Sequence, residues 1–127
     1  MKVVITRTSV AAGDDCFAPH RRDIDVSDES SIEEIVKLIV DSDYLPSICG
    51  GKATWSVQSK KILAVVAQQW KRPKMISNIE LLYELEDLDY SDSVLRIHFN
   101  YHAGTKPDIV FNVLEEIDQC VDINNAS

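Results

Sequence analysis

No aspartate or glutamate occurs between residues 44 and 79, in a chain that carries 21 of them. That window holds only positive charge: Lys52, Lys60, Lys61, Lys71, Arg72 and Lys74. On either side the balance reverses, and the formal net charge is −8 over 127 residues. Phosphate contacts need clustered Lys and Arg, so this balance argues against nucleic acid as the main partner. A split distribution of this kind suits electrostatic steering toward another macromolecule.

Other absences narrow the field. Cys16, Cys49 and Cys120 are odd in number and contain no Cys-x-x-Cys pair, which excludes a zinc ribbon and a disulfide framework. The longest apolar run is residues 62–67, far short of the roughly 20 residues that a membrane span needs. The opening MKVVITR has too short an apolar stretch for a signal peptide, so a cytoplasmic protein without a membrane partner is expected. There is no G-x-S-x-G elbow, no P-loop and no G-x-G-x-x-G. Cys16 and His20, four residues apart in a loop, match no known nucleophile–base arrangement.

What is present describes one globular domain, residues 1–127, with 45% hydrophobic and 27% charged residues. Residues 2–8 and 22–26 alternate like strands. The loop between them holds Gly13, Asp14, Asp15, Cys16, Pro19 and His20, the densest group of reactive side chains in the chain. Ser30 and Ser31 precede Glu33 and Glu34 in an S-x-x-E pattern that satisfies the first amides of a helix. Ile32, Ile35, Val36 and Ile39 then repeat at helical spacing as far as residues 41–43.

Residues 54–58 alternate, with Trp55 and Val57 inward, and residues 62–68 are apolar on both faces, as in a central strand. Residues 78–88 fit helix and strand almost equally, and pairing with the next strand favours strand. Residues 94–102 alternate cleanly: Leu95, Ile97, Phe99 and Tyr101 face one way, Arg96, His98, Asn100 and His102 the other. Pro107 suits the first position of a final helix, with Val110, Val113, Leu114, Ile117 and Val121 as its buried stripe. The expected fold is α+β: a mainly antiparallel sheet of five or six strands with two helices packed on it.

Three groups carry possible chemistry. Asp14, Asp15 and His20 combine carboxylates with an imidazole, the groups of a divalent metal site or an acid–base pair. The same Gly-Asp-Asp sequence also forms turns that bond their own backbone. His98, Asn100 and His102 share one strand face and offer two ligands to an ion, but no third ligand is identifiable. A solvent-facing polar stripe gives the same pattern. Lys60-Lys61 and the basic segment at residues 71–74 flank Trp70, as in a nucleic-acid contact, yet lysines at strand ends also guard against edge pairing.

The blocks TRTSVAAGDDCFAPH, YLPSICGGKATW and LRIHFNYHAG resemble the immunity proteins of bacterial contact-dependent growth inhibition systems. That resemblance implies a cytosolic protein without catalytic residues or cofactor, which binds a cognate toxin domain and occludes its active site. A nuclease toxin is commonly basic, and an acidic inhibitor mimics the phosphates it binds. The acidic residues expected to form the partner surface are Asp14, Asp15, Asp87, Asp89, Asp92, Glu115, Glu116 and Asp118. The rival readings are a small metal-dependent enzyme using Asp14, Asp15, His98 and His102, and a structural or regulatory subunit.

Overall fold

In a computed structural model, residues 1–8, 20–42, 44–45, 53–76, 85–102 and 105–125 are described, side chains of residues 85 and 118–125 excepted. The order is β1 (Lys2–Arg7), β2 (Arg22–Asp25), α1 (Ile32–Asp41), β3 (Thr54–Ser59), β4 (Lys61–Ala67), β5 (Lys74–Met75), β6 (Tyr90–Ser91), β7 (Val94–Tyr101) and α2 (Pro107–Asn125). The fold is α+β, as the alternating and helical periodicities require. Among the described residues seven strands form one sheet in the order β2-β1-β7-β3-β4-β5, with β6 also pairing β7.

All strand pairs are antiparallel except β1 and β7, which run parallel from Lys2↔Val94 to Arg7↔Phe99. The first two strands pair with each other, from Lys2↔Asp25 to Ile5↔Arg22. On one side β7 is shared: β6 covers Val94 and Leu95, and β3 covers His98 to Tyr101. Two turns rest on residues with positive φ. Lys60 (φ 67°) turns β3 into β4, and Asp92 (φ 54°) with Ser93 (φ 63°) forms the two-residue turn from β6 to β7. Positive φ at both central positions marks a type I′ hairpin, here without the usual glycine.

The helix starts at its predicted cap, where Ser31 Oγ accepts a hydrogen bond from Glu34 N at 3.2 Å. Ile32, Ile35, Val36 and Ile39 of α1 are buried with Val3, Ile5, Trp55, Val57, Leu95, Ile97 and Phe99. Each fully buried side chain of this size contributes roughly 1.5–3 kcal/mol by leaving water. Tyr44 meets Phe99 edge-on at 6.1 Å, and Trp55 lies 4.8 Å from Tyr101.

The final helix corrects the expected core. Val110 and Phe111 of α2 are buried against Val65, with Trp70, Ile76 and Leu114 around them, in a second cluster separate from Phe99. Strand alternation explains the separation: Val65 pairs Ser56 and Ser56 pairs Asn100, so Val65 belongs to the polar side of β7, opposite Phe99. Helices α1 and α2 therefore cover opposite faces. Val113 and Ile117, expected in the buried stripe, are instead 50% and 52% exposed. Of the balanced helix-or-strand segment, residues 78–84 lie outside the described residues; in its described end, Leu85–Asp87 is a 3-10 turn.

Candidate functional site

Among the described residues, α2 covers its face of the sheet at β4 and β3. Across β1, β7 and β3 the same face carries polar side chains that bond one another. Thr6 Oγ1 and His98 Nδ1 share a hydrogen bond of 2.7 Å, and Ser56 Oγ and His102 Nε2 share one of 2.8 Å. Between them Asn100 Nδ2 donates to Gln58 Oε1 at 3.2 Å. Burial holds both imidazoles below the usual histidine range, so each is neutral at pH 7.

His98 on β7 and His102 just past its end lie four positions apart, a separation of about 13 Å along extended chain. Their hydrogen bonds also diverge, one toward β1 and the other toward β3. They do not converge on one ion. Among the described residues no three His, Cys, Asp or Glu side chains group as metal ligands. Asp14 and Asp15, the other half of that reading, lie outside the described residues. The Ser56–His102 pair has the distance of a nucleophile and its base. Ser56 is only 2% exposed, however, so no substrate reaches its hydroxyl.

A cleft of about 440 Å³ opens at one end of this polar face, lined in part by Thr6, Gln58, Lys60, Asp89, Arg96 and His98. One buried hydroxyl builds its wall. Ser59 Oγ donates to Arg96 O at 2.5 Å and accepts from Asp89 N at 3.1 Å. Arg96 O lies in the gap between the β6 and β3 pairings, so this serine satisfies a carbonyl that neither strand reaches. Arg96 N donates to Asp89 O at 2.9 Å, and Arg96 Nη1 donates to Ser91 Oγ at 2.7 Å. The β6–β7 hairpin is thereby fixed to β3.

On this fixed hairpin and the turn before it stand Glu86, Asp87, Asp89 and Asp92, all exposed. Of the acidic residues expected on a partner surface, the structure thus gathers Asp87, Asp89 and Asp92. On α2, Glu116 is exposed and Glu115 half-buried; the side chain of Asp118 is outside the described residues. In the basic segment Lys71, Arg72 and Lys74 are exposed, while Trp70 packs on the second core cluster and Lys74 Nζ lies 4.2 Å from the centre of the Phe111 ring.

A second polar group lies across the sheet. Arg7, in register with Phe99, is 9% exposed, and its Nε has no hydrogen-bond partner among the described residues. Its guanidinium is 5.9 Å from the Tyr44 ring, and that of Arg22 is 5.0 Å away. Tyr44 Oη donates to His20 O at 2.6 Å, and burial raises the phenol to about 12. Strand alternation does place Arg7 inward, but an arginine at a strand end reads as a surface residue.

Compared with models of protein families, with curated proteins and with solved structures, the chain matches none. No helix among the described residues is long and apolar enough to cross a membrane.

Proposed function

We propose that this protein is a cytoplasmic immunity protein that binds a cognate bacterial toxin domain, a nuclease, and occludes its active site. The carrying observation is the acidic projection of Glu86, Asp87, Asp89 and Asp92, held on a hairpin that Ser59 ties to the sheet. Carboxylates held on a rigid frame lose less entropy on binding than carboxylates on a loose loop. They also present a field that attracts the cationic groups with which a nuclease holds phosphate. The resemblance of the three sequence blocks to immunity proteins points the same way, as does the net charge of −8.

The deciding test is co-expression with the toxin domain encoded beside this protein, scored by cell survival and co-purification. Survival with a one-to-one complex supports the proposal. If the neighbouring product is not toxic, or cells die despite soluble expression of this protein, the proposal is lost.

A further inference from the structure

The second apolar flank of α2 has no structural use within the described residues. Ile109, Val113 and Ile117 are 53%, 50% and 52% exposed, three of the five large apolar side chains that lie open there. Their i, i+4, i+8 spacing aligns them in a row about 12 Å long. A helix lying on a sheet needs an apolar arc of only about 100°, which Val110, Phe111 and Leu114 already supply.

The direction of this row follows from Phe111. Lys74, on β5, lies over the Phe111 ring, so that flank of α2 faces β5. Val113 and Ile109 stand two residues to either side of Phe111, which on a helix is about 200° away. They overlook the opposite half of the sheet, where β3 and β7 carry their polar rungs. Those rungs are Ser56–His102, Gln58–Asn100 and Thr6–His98, whose hydrogen bonds are already made among themselves.

Charge identifies the occupant. Asp108 and Glu116 are exposed on α2 beside the row, and Asp87, Asp89 and Asp92 on the hairpin. Two copies of this chain would set these carboxylates against each other, at a net charge of −8 each. We infer that the α2 row forms the centre of a docking surface for a cationic protein domain, which seats an apolar ridge ringed by Lys and Arg against Ile109, Val113 and Ile117. This inference rests on the immunity reading and gives it an energetic centre: apolar anchors that desolvate on a helix whose exposed neighbours are acidic.

The test measures binding of the co-encoded toxin domain to the whole protein by surface plasmon resonance. The variants are Val113→Asp/Ile117→Asp, the milder Val113→Thr/Ile117→Gln, and Leu38→Asp. Leu38 is an apolar residue of α1, 50% exposed, on the opposite face of the sheet. Both α2 pairs should weaken binding, the aspartate pair by at least about thirtyfold and mainly through faster dissociation, while Leu38→Asp leaves it unchanged. Circular dichroism and urea midpoints matching the parent protein show that the variants fold; if the aspartate pair does not, the milder pair decides. Wild-type affinity in the folded α2 pairs, or an equal loss in Leu38→Asp, overturns the inference and leaves the immunity reading standing. Self-association of the protein alone that Val113→Asp abolishes also overturns it. A wild-type protein that does not bind the domain at all removes the immunity reading and this inference together.

Discussion

His102 and Ser56 face each other across β7 and β3 with Nε2 and Oγ 2.8 Å apart, a hydrogen bond between a neutral imidazole and a hydroxyl almost wholly removed from water. Its effect is on stability. Both His98 and His102 bind a proton less readily in the fold than in the open chain, because burial disfavours the charged ring. The unfolded chain therefore takes up more protons once pH drops below about 6.5. Stability should be level near neutrality and decline from about pH 6.5 toward pH 5, before most carboxylates titrate. The double variant His98→Gln/His102→Gln should flatten that decline in urea midpoints measured across the range. Ser56→Ala should lower stability at pH 7 by about 1 kcal/mol.

Phe99 is fully buried between α1 and the sheet, edge-on to Tyr44. Phe99→Ala should cost about 3–5 kcal/mol, read as a lower denaturation midpoint at unchanged slope. Less than about 1 kcal/mol would show that the cavity collapses or that the core lies elsewhere.

Ser59→Ala removes the one hydroxyl that serves both Arg96 O and Asp89 N. Two part-buried backbone groups then lose their partner, and the loss should be about 1–3 kcal/mol. Hydrogen exchange should accelerate at the amides of residues 89–96 more than in α1, because the hairpin is what the serine anchors.

Arg7 behaves differently from the rest of the core. A buried guanidinium whose Nε is unpaired among the described residues carries a desolvation cost that an apolar side chain of similar length avoids. Arg7→Met should leave stability within about 1 kcal/mol of the parent or raise it, whereas a loss beyond about 2 kcal/mol would show that the charge is needed.

Charge reversal of Asp87, Asp89 and Asp92 to Lys should slow association with a basic toxin domain, and the difference from the parent should shrink as salt rises. Exposed charges are screened beyond about 8 Å at physiological ionic strength. Folding stability should change little, because exposed charges contribute little to it. An association rate indifferent to both salt and these substitutions would count against steering.

Much of this fold was legible in local pattern. The Ser31 cap, the alternation through Phe99 and the inward Trp55 are short-range signals, and each is where the spacing put it. Long-range choices were not legible. Nothing in the spacing of Val110 says which sheet face its helix covers, so Val113 and Ile117 were read as core although they lie open. A band of apolar residues wider than one face needs was the available sign. The Asp92-Ser93 turn lacks the glycine that marks such hairpins, which hid β6. Of the candidate site, the acidic residues at 87, 89 and 92 were visible as charge. The serine that rigidifies them was not, because a hydroxyl in a strand has no distinctive spacing.

The parallel seam between β1 and β7 also sets a clock. Thr6 and His98 touch across 92 positions of sequence, so β1 waits for β7 to be made. At a synthesis rate of about 5–20 residues per second, that wait lasts roughly 5–20 s on the ribosome. Until then Val3 and Ile5 have only β2 to pair with, and a two-stranded hairpin is not stable alone. The nascent chain therefore spends that interval with an open, apolar strand edge that other chains can join. Cells that make this protein quickly should lose part of it to aggregates, and slower synthesis in the cold should recover it.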